Sequence, residues 1–434
     1  MQKEILRLAI PNIISNLSVP LLSSVDAVLM GHLAEPYYLG AVAVGGIIFN
    51  FIYWSFGFLR MGTTGLIAQA YGKKDSKEIL LILYRALLTA LIIGLIIILI
   101  QSIISRISFS SINASDDVEE YAKTYFYIRI YAAPAVLALY VFQGWFLGMQ
   151  NARYPLYILV FLNIVNIFFN ILFVKYFKMN ADGVALGTVF AQYFGLALAV
   201  FLYFKFKIKR RSNITLREII DIASIKKFFS VNFDIFIRTI ALIFAFSFFT
   251  AKSAEFGDVV LGANTILLQL WTIFAYGVDG FAFAAESLIG KYKGAMDYDK
   301  LKRAVYSVFV WGITLGLGVT VIYVVFLDKL INIFTSNQQM AAVAISYAAW
   351  TIYTPAVNTV CYIWDGIYIG ATATKAMRNA MLFVTLGIYI PAYYLTKDML
   401  GNHSLWFSLS FFMFMRGVTL SVMAKKYIFN FNKF

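Results

Sequence analysis

The apolar positions of this chain come in long, unbroken runs. Leu87 to Ile100 carries a single hydroxyl and no charge, and Ile158 to Val174 and Ala304 to Leu327 are equally free of charge. Crossing a bilayer takes ~20 apolar residues of helix. In lipid the backbone must satisfy its own hydrogen bonds, which leaves helices or a closed barrel. Barrel strands would alternate in polarity over ~10 residues, and the chain shows no such alternation. The pattern therefore predicts an all-α polytopic membrane protein with twelve spans, at about 5–30, 38–70, 80–104, 122–148, 155–175, 183–204, 228–252, 258–290, 304–326, 341–370, 376–396 and 404–424. The first 30 residues lack a small-residue cleavage site after a short apolar core, so the first span is expected to stay as an anchor.

Composition agrees: 61% of residues are hydrophobic and 13% charged, against about 25% charged in a soluble domain. The net charge of +14 raises the question of nucleic acid, and the placement of the charges answers it. With twelve spans the connections alternate between two faces. The face shared by the termini holds 25 Lys and Arg, among them Lys73, Lys74, Lys77, Arg85 and the run from Lys205 to Lys227; the other face holds 7. This asymmetry predicts that both termini and the 205–227 connection are cytoplasmic. The basic charge is thus a topology signal on solvated or headgroup-facing loops, and no nucleic-acid partner is expected.

An offset of 222 residues aligns the chain with itself. Leu39-Gly40-Ala41 falls on Leu261-Gly262-Ala263, Ala133-Pro134 on Pro355-Ala356, and Gly144-x-x-x-Gly148 on Gly366-x-x-x-Gly370; Gly72 and Asp75 fall on Gly294 and Asp297. Six spans per half preserve orientation, so the repeats are parallel, as in transporters with a cleft near the midplane. The expected organisation is an N-terminal lobe over 1–204, a basic linker over 205–227 and a C-terminal lobe over 228–434. Pro11 and Pro20 both lie in the first span, where each removes a backbone hydrogen bond; kink and hinge both remain open for them.

Ionisable groups inside a membrane are functional candidates by default. Those here are Asp26, Arg60, Arg129, Asp234, Arg238, Asp279, Glu286, Asp365 and Arg416. Asp26, in the outer half of the first span, has no basic residue within one helical turn, and an isolated carboxylate in lipid is a candidate for reversible protonation. Asn166 and Asn170 share one face of the fifth span by i, i+4 spacing, and Thr188 opens the sixth. These four lie at similar depth and predict a polar, cation-coupling site; interhelical hydrogen bonding is the other role open to Asn and Thr. In the second half, acids and bases gather at one depth. With Arg60 of the second span, Arg238, Glu286 and Asp234 are expected to form ion pairs of a structural or gating network; Asp279 and Asp365 are candidates for the same network whose role stays open.

Little else suggests chemistry. Cys361 is the one cysteine, and His32 and His403 are far apart. No Cys/His metal spacing, P-loop or nucleophile elbow is present. Neither an enzyme nor a cofactor is expected, and no metal site beyond weak sodium binding at Asp26.

Several strings carry a family resemblance. They are Phe58-Leu59-Arg60-Met61-Gly62-Thr63-Thr64-Gly65-Leu66 with Ala68-Gln69, Asn232 to Thr239, Asp279-Gly280-Phe281-Ala282 with Glu286, Asp365-Gly366 with Ile369-Gly370-Ala371-Thr372, Met377-Arg378-Asn379, and Leu400-Gly401-Asn402-His403 with Leu405-Trp406. Through them the chain resembles the multidrug and toxic compound extrusion (MATE) transporters, in the DinF-like branch. The resemblance implies two six-helix lobes in a V around a central cavity complete within one chain, so a monomer. It also implies export of amphipathic, often cationic, organic compounds across the cell's inner membrane, driven by protons or sodium ions. The family's cation site pairs an aspartate of the first span with an Asn-x-x-x-Asp pair and a threonine. Asp26, Asn166 and Thr188 match it, but Asn170 stands where the second acid belongs. Proton coupling is therefore expected, with sodium coupling as the alternative and a lipid-linked-intermediate flippase, as in distant relatives, as a further one. The proline of the family's bending first helix is similar to Pro11.

Overall fold

The computed structural model describes residues 1–31, 37–110, 115–206 and 214–430, with the side chains of 19–31 outside the described set. Among the described residues every regular element is helical. Helix α1 (Gln2–Gly31) is followed by α2 (Tyr37–Ser55), α3 (Phe58–Gly72), α4 (Ser76–Leu99), α5 (Gln101–Ser110), α6 (Asp116–Arg129), α7 (Ala133–Gly148), α8 (Arg153–Ile171), α9 (Ala181–Lys205) and the short α10 (Leu216–Ile219). The second half contains α11 (Ile222–Ala254), α12 (Asp258–Gly294), α13 (Tyr298–Phe334), α14 (Gln338–Ser346), α15 (Ala348–Gly370), α16 (Thr374–Val384), α17 (Ile390–Leu400) and α18 (His403–Tyr427). Ten helices among the described residues are long and apolar enough to cross a membrane, and α14 with α15, bent by 51°, make an eleventh such span. Large apolar side chains such as Leu99, Ile164, Val324 and Leu395 stand on outer surfaces, which lipid covers.

The chain divides into two compact units. One is Leu17–Phe228; the other joins Phe229–Phe434 to Met1–Asn16. The first sixteen residues, expected with the N-terminal half, therefore pack with the second. Gly280 of α12 lies so close to Ala9 and Ile13 of α1 that a Cβ there would collide with them. Asn16 Nδ2 donates to Tyr276 O at 3.2 Å.

The repeat seen in the sequence is built into the backbone. Asp75 N–H donates to Ala70 O at 3.0 Å, and Asp297 N–H to Tyr292 O at 3.0 Å. Each turn passes through a left-handed residue, Lys74 (φ 59°) or Met296 (φ 54°), and each aspartate then caps the next helix. The turns after α7 and α15 repeat the device at Gln150 (φ 64°) and Thr372 (φ 50°). The glycine spacing has a matching cause. A Cβ on Gly144 would strike the carbonyl of Arg60 and one on Gly148 the side chain of Ile67, both on α3; one on Gly366 or Gly370 would strike the carbonyls of Ala282 and Glu286 on α12. Only glycine lets these helix backbones touch.

Two basic residues read as loop charges prove to be structural. Arg85 is buried and donates through Nη2 to Glu218 O at 2.7 Å and through Nε to Ile219 O at 3.1 Å. Lys77 pairs with Glu218, whose carboxylate also closes a capping box with Thr215. The described end of the connection is thereby pinned to the N-terminal end of α4.

Candidate functional site

In the first-half unit, three of the four expected polar residues meet. Asn166 and Asn170 sit one turn apart on α8, facing Thr188 on α9. Asn170 Nδ2 donates to Asn166 Oδ1 at 3.2 Å, Asn166 Nδ2 to Thr188 Oγ1 at 3.3 Å, and Thr188 Oγ1 to Val184 O at 3.0 Å. All three are buried. Gly187 admits Asn170, since a Cβ there would collide with Asn170 Oδ1. Just beyond Asn170, Leu172–Tyr176 forms a π-helical turn, a feature frequent at functional sites. The group offers amide and hydroxyl oxygens and, among the described side chains, no carboxylate. Asp26 and Pro20 lie on α1 at positions whose side chains are outside the described residues. Pro11 is described, half-buried, within the unbroken helix.

The second-half charges divide into separate groups. Asp234 and Arg238, one turn apart on α11, do not pair with each other. Asp365 on α15 binds both Arg238 and Arg416 of α18 through Oδ2, and all three are buried. Asp279 of α12 is half-buried and its charge acts on Arg238. Asp234 instead takes Arg378 Nη1 at 2.6 Å and Thr374 Oγ1 at 3.1 Å, both from α16. Glu286 is buried on α12 beneath Gly370, and Arg60 is buried on α3 in the other unit. The expected single network is thus an Arg–Asp–Arg triad plus an Asp–Arg clamp. Arg378 and Arg416 are the partners that sequence reasoning did not assign. Being an arginine inside a span was the available signal for Arg416; its partner is set by helix packing.

A further buried knot joins three helices. Asn264 Nδ2 donates to Asn402 Oδ1 at 2.7 Å and to Ser253 Oγ at 2.6 Å, and Trp406 Nε1 donates to Asn264 Oδ1 at 2.8 Å. This accounts for the Asn402 and Trp406 string singled out in the sequence. No cluster of three or more His, Cys, Asp or Glu among the described residues is placed to hold a metal ion.

Ahead of the first expected span, Glu4 accepts from Lys291 Nζ at 3.0 Å and from Tyr292 Oη at 2.8 Å. Burial raises the Glu4 carboxyl, but these two hydrogen bonds and the Lys291 charge outweigh it and hold it below its ordinary value of 4.5. A lowered carboxyl contributes stability above the unfolded value and loses it as pH falls through the folded one. The melting difference between wild type and Glu4→Gln should therefore be level above about pH 5 and vanish on further acidification. A difference that does not shrink at all as the pH falls below the ordinary glutamate value would show that the charge of Glu4 is not what holds the contact.

Membrane-length helices that repeat after 222 residues, with small buried polar groups in each half, fit the architecture of a transporter. The chain belongs to the MATE family: the MatE family model matches residues 11–172 and 235–395. It is 36% identical over 425 residues to DNA damage-inducible protein F of Escherichia coli K12, covering 98% of this chain and 92% of that one, which bears out the DinF-like branch. It is 26% identical over 417 residues to human multidrug and toxin extrusion protein 1, covering 93% and 71% of the two chains. A MOP superfamily transporter from Pyrococcus furiosus shares the fold, with a TM-score of 0.88 at 19% identity over 100% of this chain and 97% of that one. The chain is thus a multi-pass membrane transporter of the multidrug and toxin extrusion family.

Proposed function

We propose that the chain exports amphipathic, often cationic, organic compounds by alternating access, driven by inward movement of protons. Asp26 is the titrating group, with Asn166, Asn170 and Thr188 as its neighbours. The protein works as a monomer in the inner membrane, with both termini and 205–227 cytoplasmic. By chain order its lobes are 1–204 and 228–434, with Met1–Asn16 packed in the second-half unit, and α1, with Pro11 and Pro20, is the element that bends.

The observation that carries proton coupling is the buried amide chain from Asn170 to Thr188. Sodium is a hard cation held by oxygen ligands. Asn166, Asn170 and Thr188 supply dipoles, and only Asp26 supplies negative charge. Asn170 stands where a second acid would offset the dehydration of the ion. A proton needs one titratable group.

The test is export from proteoliposomes with the two gradients imposed separately, using a panel of dye substrates. Export should follow a pH gradient and stop under a sodium gradient with the pH gradient and membrane potential collapsed. Sustained export under sodium alone would overturn proton coupling. Asn170→Asp, which restores the second carboxylate, should increase sodium binding.

A further inference from the structure

The second-half unit has a basic cavity at the turn between α12 and α13. It measures about 280 Å³ and is lined by Met1, Glu4, Lys291, Tyr292, Lys300 and Arg303. All six belong to one compact unit, because Met1–Asn16 packs with the second half. Trp311 Nε1 donates to Gln2 Oε1 at 2.5 Å and so holds the start of α1 beside the first turns of α13. Pockets for drug-sized molecules start at ~300 Å³, so this cavity suits a smaller, headgroup-sized ion.

Its charges are not balanced. Lys291 pairs with Glu4 at 3.0 Å and Lys300 with Asp297 at 2.7 Å. Arg303 is exposed and has no carboxylate of its own among the described residues; its charge adds to that of Lys300 beside Asp297. An ammonium has three donors, of which each of these lysines gives one to its carboxylate, and the guanidinium has five. Donors therefore remain on three side chains around one cavity. A guanidinium fork flanked by ammonium groups is matched to a phosphate.

The apolar surface beside the cavity decides which phosphate. Tyr306 comes one turn after Arg303 on α13, and Val310, Ile313 and Leu317 follow it at helical spacing; all four are exposed. Such a stripe is one face of a helix, and Arg303 stands at its head. A free phosphate ion leaves that stripe uncovered, whereas a phospholipid covers it with its acyl chains. The turn between α12 and α13 lies on the face assigned to the cytoplasm, and that leaflet carries the anionic phospholipids.

We propose that Lys291, Lys300 and Arg303 form a binding site for the headgroup phosphate of an anionic phospholipid, whose acyl chains lie along Tyr306, Val310, Ile313 and Leu317. The cavity is walled by the start of α1 and by the turn between α12 and α13, so the bound lipid ties the two together. The site is independent of which compound or ion the chain moves. Its recognition element is net charge, so an anionic lipid outranks a zwitterionic one with the same acyl chains.

The probes are dioleoylphosphatidylglycerol and dioleoylphosphatidylcholine, titrated against the full chain in detergent at one ionic strength and counted by native mass spectrometry. Phosphatidylglycerol should bind about tenfold more tightly than phosphatidylcholine. Arg303→Gln should weaken phosphatidylglycerol binding about fivefold, and Arg303→Gln with Lys300→Gln about twentyfold, with phosphatidylcholine unchanged. Lys375→Gln removes an equal, exposed charge from the start of α16 and should stay within about twofold of wild type. Inorganic phosphate in excess should leave phosphatidylglycerol bound. Arg303 is exposed, so its variant keeps the fold, which the melting temperature without added lipid checks. Equal affinity for the two lipids, equal losses in Arg303→Gln and Lys375→Gln, or displacement by inorganic phosphate would overturn the site.

Discussion

Asp365→Leu should destabilise the protein by about 3–5 kcal/mol, because it strands two buried guanidiniums at once. Asp365 Oδ2 is the shared acceptor of Arg238 and Arg416. Arg416 is 1% exposed and Arg238 6%, so water cannot replace the lost partner. Removing one member of a buried pair is costly, whereas removing matched charges together is often nearly neutral. Asp365→Leu with Arg416→Met deletes one charge of each sign and leaves Arg238 under the influence of Asp279. That double variant should recover most of the loss. The readout is the melting temperature in detergent at one lipid and salt composition. A single variant that melts like wild type, or a double variant worse than the single, would show that the triad does not hold α11, α15 and α18 together.

Asp26→Asn should reduce gradient-driven export to background while the protein still inserts and folds. A charge at membrane depth costs at least ~3 kcal/mol on insertion scales, so its loss on protonation is large enough to shift how α1 packs. In the proposed cycle, protonation of Asp26 lets the outer part of α1 repack and weakens substrate binding in the outward state. Asparagine is nearly isosteric and cannot titrate, so it removes the switch and keeps the shape. Undiminished export by a well-folded Asp26→Asn protein would refute the assignment. The packing of Met1–Asn16 with the second half gives α1 a second importance: one helix carries both the proposed titrating group and residues of the second-half unit.

Much of this was legible in the sequence. The helices follow from apolar runs that only helices can satisfy in lipid, a constraint that acts residue by residue. The repeat was legible because helix contact and turn geometry impose glycine and aspartate locally: Gly144 and Gly366 face carbonyls, and Asp75 and Asp297 cap helices. The meeting of Asn166, Asn170 and Thr188 followed from helical spacing and depth alone.

Partner choice was not legible. Asp234 and Arg238 share a helix face at a spacing that favours pairing, yet each turns to a different helix. Inside a membrane a charge pairs with whatever its neighbours bring to the same depth, and rotation of α15, α16 and α18 about their own axes decides what that is. The same holds for Arg85, counted with the loop charges by its position and found buried against the carbonyls of α10. It holds too for the placing of Met1–Asn16 in the second-half unit, where close contact at Gly280 decides the matter. Local chemistry determined the spans, their turns and the repeat. Which groups meet across the helices was decided only by tertiary packing, because it depends on helix rotation and depth, which no stretch of sequence specifies by itself.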